Sequence, residues 1–144
     1  MDSLSKKSNS NTILVVILII VGIIAVGSAL LTIPTKSYKL TFTNNTISIN
    51  GWESININLD TVSHATLLNT SPNVISNDNG GSMDNKIFGH ENLETYGDTA
   101  CYVENSSGKS IYLDTTNGKY LIALENSNDT TTLYNEIIKA KPSL

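Results

Sequence analysis

The sequence predicts a mainly β protein: a small antiparallel barrel or sandwich of six or seven strands, capped by a C-terminal helix and preceded by one transmembrane helix. Three observations lead there. An uncharged apolar run extends from Ile13 to Ile33, short alternating runs separated by Asn and Gly fill most of the remainder, and the last stretch repeats its apolar residues at helical spacing. The implied organisation is a short polar tail over 1–12, a transmembrane helix over 13–33, a linker over 34–37 and a β domain over 38–140 whose final helix covers 129–140. About 110 of the 144 residues remain for the domain, enough for one modest core without disulfides or a metal.

The apolar run is 21 residues long, about 31 Å as a helix, which matches the hydrocarbon thickness of a bilayer. A cleaved signal peptide is the alternative, with Lys6-Lys7 as its basic end and small residues near Ala25 to Ala29 as its cleavage site. The run continues past those sites through Leu30, Leu31 and Ile33, which favours an uncleaved anchor. Lys6 and Lys7 before the span are balanced by Lys36 and Lys39 after it. The compact basic tail tips the orientation toward a cytoplasmic N-terminus and an extracytoplasmic domain at the cell membrane. Gly22, Ala25, Ala29 and Thr32 share one helix face, a hint of helix pairing that ordinary membrane-helix composition also explains.

Pro34 ends the helix. Leu40 and Phe42 alternate with Thr41 and Thr43, Asn44-Asn45 supplies a turn, and Thr46 to Ile49 resumes the alternation, so 38–50 reads as a hairpin. After Asn50-Gly51 comes a strand from Ile55 to Leu59. Asn69 to Asn85 is so rich in Asn, Ser, Gly and Asp that it reads as a mobile loop. Strands follow near Lys86–His90 and Ala100–Val103, with Gly89 and Gly97 available for bends. Ile111–Asp114 and Tyr120–Leu124 flank an Asn117-Gly118 turn and form the clearest hairpin. In the last segment Leu133, Tyr134, Ile137 and Ile138 form one helical face, with Asn128 or Asp129 as N-cap, Lys139 at the C-terminal end and Pro142 beyond it.

Taken together, Leu31-Thr32-Ile33-Pro34 leading into Leu40–Ile49, the Leu59-Asp60-Thr61-Val62 corner, Gly89 to Leu93 with Tyr96-Gly97, and the strands Cys101–Val103, Ile111–Thr115 and Tyr120–Leu124 resemble the bacterial pleckstrin-homology-like domain found behind membrane helices. The resemblance implies a small barrel closed by a helix, not a reaction. Residues 73–82 depart from it, holding Asn, Ser and Gly where the family often has an arginine- and glycine-bearing segment.

Charge excludes several partners. The chain has no arginine, and from Pro34 onward 7 lysines face 12 acids, a net of -5. Nucleic acid and phosphoinositide headgroups are therefore not expected ligands. The Asn-x-Ser/Thr triplets follow from composition and carry no glycosylation weight.

No catalytic, cofactor-binding or metal-binding residue is assigned, and no cofactor is expected. Cys101 with His64 or His90 is the nucleophile–base pair to weigh, yet a lone cysteine in an apolar strand is usually a small buried hydrophobe. His90 and Glu91 are adjacent and so point to opposite faces of a strand, too few for zinc. Asp78 and Asp84 offer calcium ligands without a matching spacing. Glu91, Glu94 and Asp98 read as exposed charge between strands, and Trp52 as a core anchor. The function expected is non-catalytic binding or scaffolding at the membrane surface, through a protein partner or self-association. The alternative is an extracytoplasmic small-ligand or ion sensor using the 69–85 loop.

Overall fold

The computed structural model describes residues 38–51 and 54–144. The expected tail, transmembrane helix and linker, and the placement of Trp52, lie outside these residues. Among the described residues no helix is long and apolar enough to cross a membrane.

The first three strands form a local meander. Strand β1 (Lys39–Thr43) turns at Asn44-Asn45 into β2 (Thr46–Asn50), and both turn residues have positive φ, 51° and 59°, as a two-residue hairpin of that twist requires. Strand β3 (Ile55–Asn58) pairs with β2 and runs into a 3-10 turn at Leu59–Thr61, where the Asn58 side chain accepts the Asp60 N–H at 2.9 Å. The predicted hairpin, third strand and corner are all present.

Six strands make the second sheet: β4 (Val62–Leu68), β5 (Val74–Met83), β6 (Lys86–Leu93), β7 (Gly97–Val103), β8 (Ser110–Thr115) and β9 (Gly118–Ala123), in the order β4-β8-β9-β7-β6-β5. Among the described residues nine strands therefore stand where six or seven were expected. One of the two extra strands is β4, whose alternation is broken by a bulge between Val62 and His64. The other is β5. The expected mobile loop over 69–85 is instead mostly this ten-residue edge strand, because pairing with β6 satisfies its backbone and asks nothing apolar of its side chains. Pairing is not antiparallel throughout either: β9 lies between β8 and β7 and runs parallel to β7.

The central strands bury both faces. Ala100, Tyr102, Ile111, Leu113 and Ile122 join a core with Ile47, Ile49 and Ile57 of the meander, while Cys101, Val103, Tyr112, Leu121 and Ala123 join a second core with Ile87 and Leu93. Period-two alternation divides each strand between them.

Chain length explains what covers the second core. Stepping across the sheet from Leu67 leads through Ile111, Ile122, Tyr102 and Phe88 to Gly81. Laid flat, β4 and β5 would stand about 24 Å apart. Yet Leu68 reaches Val74 through residues 69–73 alone, a path of at most about 21 Å, and Val74 lies a further roughly 23 Å down the strand from Gly81. The sheet must roll, with the stagger that closure of tilted strands demands. Ser71 N–H donates to Ser106 O at 3.0 Å and Glu94 N–H to Asn73 O at 2.9 Å, fastening the roll, and Leu68, Val74 and Tyr96 pack on the core inside it.

The C-terminal helix spans Ser127–Ala140 and buries Thr130, Leu133 and Ile137. Its N-cap is Asn126, not Asn128 or Asp129: the Asn126 side chain accepts the Asn128 N–H at 2.8 Å. Buried Thr130 accepts the Leu124 N–H at 3.0 Å, so helix and last strand meet with the corner backbone satisfied.

Candidate functional site

A cleft of about 460 Å³ opens between the start of β3 and the face of the six-stranded sheet. Strand register builds it. His90 on β6, Ala100 on β7 and Tyr120 on β9 are direct cross-strand neighbours, and Asp98 and Tyr102 flank Ala100 at two-residue steps, so these side chains fall on one face. Ser54 and Ile55 form the opposite wall, and Asn117, Gly118 and Lys119 close one end.

The lining divides by chemistry. Ile55, Ala100, Tyr102 and Tyr120 make an apolar and aromatic floor continuous with the first core. On the rim His90 Nδ1 and Asp98 Oδ1 lie 3.3 Å apart, both largely in solvent. Lys119 borders the cleft beside Tyr120, but alternation turns its side chain to the opposite face, where its ammonium donates to the Tyr96 carbonyl at 2.7 Å. An apolar floor with a few convergent polar groups, in a volume of this size, is the usual composition of a small-molecule site.

A larger, open depression of about 890 Å³ borders Tyr38, Lys39 and the start of the helix. The helix cap there is already satisfied internally by Asn126, and the lining is largely exposed polar residues of β1, the β9–helix corner and the first helical turn. The cleft at β7 is the better-formed site.

The residues weighed from sequence fall apart in space. Cys101 is completely buried, and its thiol is pushed up to about 12 by that burial, then by the negative charges of Glu91 and Asp98. His90 shares the face of Ala100, opposite to Cys101, and His64 sits exposed on edge strand β4 with its ring 2.8 Å from the Thr66 hydroxyl. No thiol–imidazole pair is assembled. Glu91 is not the exposed charge expected: it is wholly buried, because the alternation Ile87, Gly89, Glu91, Leu93 carries it to the inside of the roll. Glu94 and Asp98 are exposed as expected. Asp84 opens the turn that follows β5, six positions from Asp78, and extended chain separates their backbones by about 20 Å. Among the described residues no group of three or more His, Cys, Asp or Glu could hold a metal ion.

Asn117, Lys119 and Tyr120 enter the site only through the β7–β9 register. The Asn117-Gly118 turn was legible, but the parallel pairing that sets β9 beside β7 leaves no local signal.

No protein-family model matches this chain, and the comparisons with curated proteins and with solved structures gave no match either.

Proposed function

We propose that this chain is a non-catalytic binding protein, held at a membrane by one N-terminal span, that takes a small polar molecule into the cleft beside β7. The observation that carries the reading is the meeting of an imidazole–carboxylate rim, His90 with Asp98, and a tyrosine-bearing floor in one cleft. One acid and one imidazole on the rim suit a ligand that both donates and accepts hydrogen bonds, a zwitterion or a polyol, better than a strongly charged one. Binding without turnover fits a buried thiol that stays protonated and an imidazole that faces solvent.

The membrane part of the proposal rests on the Ile13–Ile33 run. Kinship with the bacterial pleckstrin-homology-like domain rests on a β domain finished by a helix whose Leu133 and Ile137 seal the core. The sensor reading passes from residues 69–85 to the cleft, since most of that segment is strand.

Thermal denaturation of the full chain in detergent, followed by fluorescence of its single tryptophan, tests this against a panel of amino acids, monosaccharides and calcium. At least one organic ligand should raise the midpoint in the parent chain and fail to do so in Asp98→Asn and Tyr120→Ala. A flat response across the panel, or a shift that survives both substitutions, rules out the cleft.

A further inference from the structure

We infer that the ligand of the cleft beside β7 is a neutral saccharide, which rests on the proposal above that this cleft is a ligand site. Charge decides against a zwitterion. Among the described residues the groups on the lining that carry charge are Asp98, Lys119 and, when protonated, His90. The Lys119 ammonium is engaged by the Tyr96 carbonyl at the opposite face, and His90 Nδ1 already lies 3.3 Å from Asp98 Oδ1. A ligand carboxylate would meet the like charge of Asp98 with no unengaged cation to offset it. An organic ammonium would find Asp98, yet that side chain is 71% exposed, and an ion pair so well solvated adds little.

The other polar atoms on the lining suit hydroxyls. Tyr120 Oη, the Asn117 side-chain amide and Ser54 Oγ border the cleft and make no hydrogen bond among the described residues. Each can both donate and accept, as every ring hydroxyl of a sugar does, whereas an ammonium brings donors alone. An added Cβ at Gly118 would stand 4.0 Å from Tyr120 Oη, so the phenol reaches back along β9 and brings its hydroxyl to the Asn117 end of the cleft. Tyr120 is half-buried against the first core and leaves part of its ring to the cleft, beside Ile55 and Ala100. A pyranose divides in the same way: an apolar C–H face to cover that surface and a hydroxyl edge to bond around it. The cleft volume, about 460 Å³, stands near the lower end of the roughly 300–1,000 Å³ of small-molecule sites and suits one or two sugar rings.

Saturation-transfer difference NMR on the full chain, held in a detergent without a sugar headgroup, tests the ligand class. The probes are a set of neutral sugars (methyl glucoside, methyl galactoside, methyl mannoside and N-acetylglucosamine), alanine as the zwitterion and choline as the organic cation. Irradiating the aromatic protons of the protein should pass saturation to the ring C–H protons of at least one sugar and to neither alanine nor choline. Asn117→Ala, at an exposed position, should weaken that sugar about two- to tenfold, the loss of one hydrogen bond. Tyr120→Leu should remove the signal, and Thr116→Ala, on the same turn but off the lining, should leave it unchanged. Saturation of alanine or choline that Tyr120→Leu abolishes overturns the saccharide and leaves the cleft standing. A sugar signal that survives both Asn117→Ala and Tyr120→Leu, or no transfer to any probe, overturns the saccharide and the cleft together.

Discussion

The Lys86 ammonium lies 2.6 Å from Oε2 of Glu104, whose other oxygen accepts the Tyr38 N–H at 2.5 Å. One nearly buried carboxylate thus ties the start of the meander to the β5–β6 hairpin. Replacing Lys86 by Met leaves that carboxylate with one charged donor fewer, and we expect a loss of about 1.5–3 kcal/mol. Glu104→Gln, which keeps the shape and the Tyr38 contact, should cost less. Chemical denaturation checks the order of the two.

Lys141 acts as a strap from just beyond the helix to the corner. Its ammonium donates to Leu59 O at 2.9 Å and Val62 O at 2.5 Å. Lys141→Met should destabilise the domain by about 1–3 kcal/mol through the orphaned carbonyls, and amide exchange at Thr61 and Val62 should rise with it. Unchanged exchange there would show that the strap is dispensable.

The Cys101 thiol, raised from 9.0 to about 12 in the fold, gives a signed pH dependence. The folded state favours the neutral thiol, so its contribution is complete below pH 9, where the unfolded chain is also protonated. It is lost as pH rises from 9 toward 12, because only the unfolded chain ionises readily over that range. Cys101→Ala should flatten this part of the alkaline stability curve relative to the parent. A thiol reagent at pH 8 should label the parent only at the rate of unfolding, and fast labelling without unfolding would contradict the burial.

Topology has a direct readout. Ser127 is half-buried and its hydroxyl accepts the Lys109 N–H at 3.1 Å, whereas Asn128 is exposed. In a Cys101→Ser background, Asn128→Cys should react with a membrane-impermeant maleimide on intact cells if the domain is extracytoplasmic. Labelling only after lysis would place it on the cytoplasmic side.

What the sequence disclosed follows from how far each signal reaches. Asn44-Asn45 and Asn117-Gly118 announce their turns because backbone conformation at those residues is a local matter, and the helix face from Leu133 to Ile138 is written in its own spacing. Strand β4 was hidden by its bulge, and β5 because its stability comes from β6, not from its own side chains. Gly89, with φ of 79°, did signal a bend; its deeper role is to let β6 approach β5, where an added Cβ would sit 2.6 Å from Asn79 O. The cleft was illegible for a stronger reason. His90 meets Ala100 through the antiparallel β6–β7 pairing, but Tyr120 is brought to the other side of Ala100 by a parallel pairing that no local pattern encodes. Glu91 was misjudged because the polar string around it resembles a turn, while its even spacing from Ile87 and Leu93 assigns it to the interior.

The place of β9 has a consequence for how the chain comes off the ribosome. This strand joins β4 and β8 on one side to β7, β6 and β5 on the other, and among the strands it is made last. Until Gly118–Ala123 emerges, the two halves share no ladder, and the apolar residues of β7 and β8 lack the neighbours that will cover them on both faces. The nascent domain is therefore a pair of sticky fragments for most of its synthesis, dependent on holding factors or on speed. A stalled chain ending before Gly118 should engage chaperones strongly, and one extended past Ala140 should release them.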